Sequence, residues 1–136
     1  MRLGKASLAG LYAALEMAAN PARQVSAGEI AEAYGISSHH LAKVMRTLVR
    51  AGLATSVLGP GGGYRFAGNP RRTTLLDVIA LFEDVDEVPA LAADPATTSP
   101  FATALAEVGE EIDAASAATL GSITLAALLR NAGCNP

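Results

Sequence analysis

Tryptophan is absent, aromatic residues amount to 4% of the 136 positions, and a single cysteine, Cys134, stands close to the end. With so few large rings the core has to come from Ala, Leu, Val and Ile, which suits helices packed at close range and argues against an all-β sandwich. One thiol excludes an intrachain disulfide framework and any cysteine-based metal site made within one chain, and it fits a reducing, cytoplasmic setting. Long apolar runs are missing too. The longest uncharged helical stretch, Ala114 to Leu129, is diluted by Ser, Thr and Gly and is too short to span a bilayer, so no membrane partner is expected. Leu8 to Leu15 follows Arg2 and Lys5, but Glu16 ends the run, as in an amphipathic helix rather than a secretion signal. Hydrophobic residues at 51% and charged residues at 17% lie far from the composition of a disordered chain. The length allows one compact domain, or a small domain with an appended element.

The formal charge of −3 conceals an uneven distribution. Residues 1–72 carry nine basic side chains against Glu16, Glu29 and Glu32, whereas residues 73–136 carry only Arg130 against ten acids. Screening confines electrostatic steering to roughly 10 Å at moderate salt, so the basic half can meet a polyanion despite the acidic total.

Apolar periodicity predicts a first helix from about Gly4 to Ala19, with Leu8, Leu11, Tyr12 and Leu15 inward and Asn20-Pro21 as its stop. Ser26 to Glu29 forms an S-x-x-E capping box that opens a short helix with Ile30, Ala33 and Tyr34 inward and Gly35 at its close. Ser37 caps the next helix, in which Leu41, Val44, Met45 and Leu48 repeat at helical spacing. Two short helices joined by a glycine-containing turn, the second rich in basic residues, form the helix-turn-helix arrangement.

Opposite the apolar face of that second helix, at 100° per residue, lie His39, Lys43, Arg46 and Arg50. All four can donate hydrogen bonds and none is acidic, which suits a major groove lined by phosphates and guanine acceptors. Leu53 to Leu58, then Gly59-Pro60-Gly61-Gly62-Gly63, then Tyr64 to Phe66, reads as a β-hairpin with a glycine tip. Placed directly after such a helix pair, the hairpin is a wing. It lacks the G-K-[ST] ending of a nucleotide-cradling loop, and no nucleophile set or paired carboxylates accompany it, so an enzyme is not expected. His39 and His40 diverge by about 100° on a helix and have no acidic or thiol neighbours, so a metal site is not expected either.

Thr74 caps a further helix with Leu75, Leu76, Val78, Ile79 and Phe82 on its apolar face, ending near Asp84. Residues 86–100, with Pro89, Pro95 and Pro100, read as a loop. From Phe101 to about Leu120 a long helix is predicted, with Phe101, Leu105, Val108, Ile112, Ala115 and Thr119 at alternating spacings of four and three. Such a seam calls for an equivalent helix from a second subunit. Thr124 to Arg130 forms a final short helix. The expected organisation is therefore a mainly α chain. Residues 1–85 form a winged helix-turn-helix domain with a two-stranded wing, 86–100 a loop, and 101–136 a dimerisation helix plus a C-terminal helix.

The segments G-E-I-A-E-A-Y-G-I-S at Gly28 to Ser37, L-V-R-A-G-L, the wing G-P-G-G-G-Y, T-L-L-D-V-I at Thr74 to Ile79 and I-T-L-A-A-L-L at Ile123 to Leu129 resemble the Rrf-two (BadM-type) family of winged-helix transcription regulators. The resemblance spans nearly the whole chain. It implies a homodimer, joined by crossed long helices, that presents recognition helices to the major groove and wings to the minor groove of a palindromic operator in double-stranded DNA. It further implies DNA contacts at Ser37, Ser38, His40 and Lys43, at the backbone of Gly59, Pro60, Gly61, Gly62 and Gly63, and at Arg2 and Lys5 in an N-terminal phosphate-contacting segment. Many members have arginine just before the wing glycines where this chain has Leu58, so insertion of an arginine from that position is excluded. Many also hold an iron–sulfur cluster on three cysteines between the last domain helix and the dimer helix. Leu91 to Ala104 offers only Asp94 and hydroxyls, so no cofactor is expected. The leading expectation is a homodimeric repressor without a cluster, responding to an unidentified small effector. The alternatives are a winged-helix module that binds protein and a thiol redox sensor acting through Cys134.

Overall fold

The computed structural model describes residues 3–83, 91, 96 and 99–134. The chain is mainly helical. In order it forms α1 (Lys5–Ala19), α2 (Ala27–Tyr34), α3 (Ser38–Arg50), β1 (Ala54–Val57), β2 (Gly63–Phe66), α4 (Leu75–Ile79), α5 (Pro100–Ser122) and α6 (Leu125–Asn131).

Local signals set most helix starts. Ser26 Oγ accepts from Glu29 N at 3.1 Å while the Glu29 carboxylate accepts from Ser26 N at 2.9 Å, the reciprocal box expected from the sequence. That carboxylate is held below the ordinary glutamate range, first by the Ser26 backbone N–H and then by Arg23. Gly35 ends α2 with φ 64°, a left-handed conformation that glycine adopts without a Cβ clash. Thr74 and Asp77 repeat the box at α4, and Thr124 Oγ1 caps α6 by accepting from Ala127 N at 3.1 Å. Each such cap stabilises its helix by ~1 kcal/mol.

The core gathers around α3. Leu41, Val44, Met45 and Leu48 are all buried, each contributing roughly 1.5–3 kcal/mol relative to exposure. They meet α1, Ile30 of α2, Val78 and Ile79 of α4, and Leu125 of α6 in one cluster. The last contact makes the C-terminal helix part of the same core that holds the helix-turn-helix. Two antiparallel backbone bonds tie the segments together, Leu75 N to Ile123 O and Leu125 N to Thr73 O, both 2.9 Å.

The α1 and α2 faces depart from the periodic reading. On α1 Leu11 is buried as expected, but the small residues Ala9, Gly10, Ala13 and Ala14 share the inward side with it and Met17, while Leu8 is 42% exposed and Tyr12 and Leu15 are half-buried. The Phe82 ring lies against Gly10, and a close approach of this kind is open only to the small-residue side of the helix. On α2, Ile30 and Ala31 are buried, whereas Ala33 and Tyr34 are exposed. Tyr34 finds its partners along the outside of α1. Its ring stacks on Tyr12 with centroids 4.2 Å apart, and its hydroxyl donates to Glu16 Oε1. Burial, then that hydrogen bond, pushes the phenol up to about 12.

Helix α4 is shorter than expected, ending at Ile79 and continuing as turns, while α5 starts at Pro100 and extends to Ser122. Gly109 does not break α5. It is buried against Leu91, whose backbone N would lie 2.9 Å from a Cβ at that position. The expected loop at 86–100 falls mostly outside the described residues.

Candidate nucleic-acid interface

The α3 cap sets the first part of the site. Ser37 Oγ accepts from His40 N at 3.1 Å, which fixes Ser37 and Ser38 at the start of the helix. Because the four apolar side chains of α3 are locked in the core, the opposite side is oriented by the same geometry. His39, Lys43, Arg46 and Arg50 are all exposed, and among the described residues no hydrogen bond or ion pair engages the Lys43, Arg46 or Arg50 side chain. The stripe is thus free to meet an anion.

The wing follows after one turn. Gly52, at φ 78°, reverses the chain, and β1 pairs antiparallel with β2 in the register Ala54↔Phe66, Thr55↔Arg65, Ser56↔Tyr64 and Val57↔Gly63. Val25 adds a third line of pairing, exchanging bonds of 2.9 and 2.8 Å with Tyr64. A Cβ on Gly63 would strike the Val25 carbonyl, at 2.6 Å, so glycine is required there by close backbone packing. At the tip, Gly59 and Gly61 take φ 99° and 73°, and Gly62 N donates to Gly59 O at 2.9 Å. Leu58 stands 91% exposed where the tip loop leaves β1.

Lys5 opens α1, exposed, and shares a cleft with Ser37 and His40, so the N-terminal and recognition-helix candidates come together on one side. His40 differs from its neighbours, being half-buried. Arg2 lies outside the described residues. The sequence candidates omit Arg65, which is exposed on β2; alternation with the half-buried Tyr64 and Phe66 is the signal that points to it. The six seam residues of α5, Phe101, Leu105, Val108, Ile112, Ala115 and Thr119, are all exposed, Phe101 at 80%.

A capped recognition helix with an outward cationic stripe, followed by a glycine-tipped wing, defines a winged helix-turn-helix transcription regulator. The profile of the Rrf2 family, described as iron-dependent transcriptional regulators, matches residues 3–131, and the chain belongs to that family. It is 56% identical over 131 residues to a protein of Rhodopseudomonas palustris described as the HTH-type transcriptional regulator BadM, covering 96% of this chain and 82% of that one. Among solved structures it is similar to CymR, the global cysteine regulator of B. subtilis, with a TM-score of 0.79 at 26% identity, covering 96% of this chain and 98% of that one. It is also similar to IscR of T. potens, with a TM-score of 0.71 at 28% identity, covering 97% and 88%.

The family description raises iron, and the donor set answers it. Cluster iron is held by several thiolates, while this sequence has one cysteine, exposed beyond α6, and among the described residues no group of three or more His, Cys, Asp or Glu side chains could hold a metal ion. These residues do not fit an iron–sulfur cluster within one chain. No helix among the described residues is long and apolar enough to cross a membrane.

Proposed function

We propose that the protein is a homodimeric repressor that binds a palindromic operator, with α3 in the major groove and the wing in the adjacent minor groove. The observation that carries this reading is the cationic side of α3, exposed and unpaired among the described residues and held outward by four buried apolar residues on the opposite side. Lys43, Arg46 and Arg50 supply charge to phosphates and donors to base edges, His39 adds a ring donor, and Ser37, Ser38 and the wing backbone position the helix. Pairing of the α5 seams sets the distance between two recognition helices, so half-sites should be related by twofold symmetry. Regulation proceeds without an iron–sulfur cluster, through a signal that reaches these same elements.

The test is selection of bound fragments from random duplex DNA, repeated at several salt concentrations. An enriched palindrome whose binding weakens steeply with salt supports the reading. Salt-insensitive binding with no enriched sequence overturns it in favour of a protein-binding module. Placing the selected palindrome over a promoter distinguishes repression from activation.

A further inference from the structure

Between the start of α1 and the turn joining α2 to α3 lies a cavity of about 470 Å³, within the roughly 300–1,000 Å³ range of small-molecule clefts. Leu8, Tyr12 and Ile36 give it an apolar wall, to which Tyr34, stacked on Tyr12, adds a second ring. The polar groups of its lining differ in kind. Lys5 brings an ammonium, Ser37 a hydroxyl whose oxygen already accepts from His40 N and whose proton has no acceptor among the described residues, and His40 an imidazole. His40 Nε2 is buried and, among the described residues, has no hydrogen-bond partner, which leaves one polar group of the lining unsatisfied. Among the described residues no acidic side chain lines the cavity; Glu16, the nearest along α1, is occupied by the Tyr34 hydroxyl.

We propose that this cavity is an effector site for a small carboxylate with an apolar or aromatic body, and that its occupancy releases DNA. The carboxylate takes the donors of Lys5, Ser37 and His40, and the body covers Leu8, Tyr12 and Ile36. A bare inorganic anion would satisfy only the first half of that lining. Coupling to DNA rests on the proposed operator interface, extended to Lys5 and His40, which with Ser37 are DNA contacts implied by the family resemblance, so the ligand competes with phosphates for the same donors. Seating beside the first turn of α3 also lets it act on the recognition helix directly.

The test begins with DNA-free full-length protein titrated with sodium 3-phenylpropionate, following the ring resonances of its two histidines by NMR. Expected is a saturable shift of one imidazole. It is lost in Leu8→Trp, which fills the cavity from a partly exposed position, and needs about tenfold more ligand in Lys5→Gln, the loss of one charge-assisted contact. Saturating ligand should then weaken binding of the selected palindrome to wild type at least several-fold and leave Leu8→Trp unaffected. Absence of a saturable shift in wild type, or an equal response from both variants, overturns the site. An equal response to inorganic phosphate also overturns it, marking a seat for a backbone phosphate. Unchanged palindrome affinity at saturation overturns the coupling. If wild type ignores every duplex, the operator reading fails while the histidine titration still decides the site.

Discussion

The ring of Phe82 lies over Gly10 of α1 so closely that a Cβ on that glycine would come within 2.9 Å of Phe82 Cζ and closer still to Cε2. The contact brings the end of the α4 segment onto the small-residue side of α1. Gly10→Leu should therefore destabilise the protein by about 1–3 kcal/mol through overpacking, despite the better helix propensity of leucine. Phe82→Ala in the same background should recover part of the loss. Denaturant unfolding of both single variants and the double variant measures it, and strictly additive effects would mean that the two residues do not oppose each other.

The same contact accounts for the difference in how legible α1 and α3 are in the sequence. On α3, charged and apolar residues alternate in blocks, so periodicity alone places Leu41, Val44, Met45 and Leu48 inward and Lys43, Arg46 and Arg50 outward. The caps at Ser26, Ser37, Thr74 and Thr124 are equally legible, because a hydroxyl three residues from its backbone donor acts locally. In α1 almost every residue is small or apolar, and period alone favours the leucines. What decides the buried side is how near another element must come, which only the assembled fold settles. The cavity beside His40 is hidden from the sequence for the same reason, since its walls come from segments separated along the chain.

Ser7 is fully buried in α1, and among the described residues its hydroxyl has no partner. Removing an unsatisfied buried polar group while keeping the shape of the side chain relieves its desolvation penalty, and alanine is the stronger helix former. Ser7→Ala should leave stability unchanged or raise it by about 1 kcal/mol. A loss of more than that in thermal or urea unfolding would show that the hydroxyl is satisfied in solution.

Lys43→Ala and Arg46→Ala should each weaken duplex binding without lowering stability, because both side chains are exposed and unpaired among the described residues. If the lost contact was to a phosphate, the slope of log affinity against log salt should flatten by about 0.9 per contact. If it was to a base edge, the slope should persist and discrimination at one operator position should relax. Fluorescence anisotropy across a salt series separates the two outcomes. Unchanged binding in both variants would remove α3 from the interface.

The Tyr34 phenol has a direct pH consequence. Its pKa rises from 10.0 to about 12 on folding, so the native state holds the proton more tightly than the unfolded chain. The stabilisation is fully present below about pH 10 and is lost as pH rises from there towards 12. Ultraviolet titration of phenolate absorbance should show a late-ionising phenol that is absent in Tyr34→Phe. Stability of the phenylalanine variant should fall less steeply than wild type over that alkaline range, and parallel curves would refute the assignment.

Helix α5 has two sides with different fates. Gly109 faces inward and is buried against Leu91, whereas Phe101 is 80% exposed, Leu105 55%, and Val108 and Ile112 46% each. These four lie along one line of the helix, and the described part of the chain leaves it open. A second copy of α5 related by a twofold axis would bring the same line against itself, so an acidic residue placed near its middle would be repeated across the contact and left desolvated. Substituting aspartate at both Val108 and Ile112 should therefore yield a folded monomer, since the positions are exposed within one chain and lie outside its core. Affinity for the palindrome should fall towards that for a single half-site, because each subunit would then bind without its partner. Sedimentation equilibrium reads the first outcome and anisotropy with full and half operators the second. A wild-type mass of one chain at micromolar concentration would mean that the exposed line serves some other purpose, and the twofold operator would lose its structural basis.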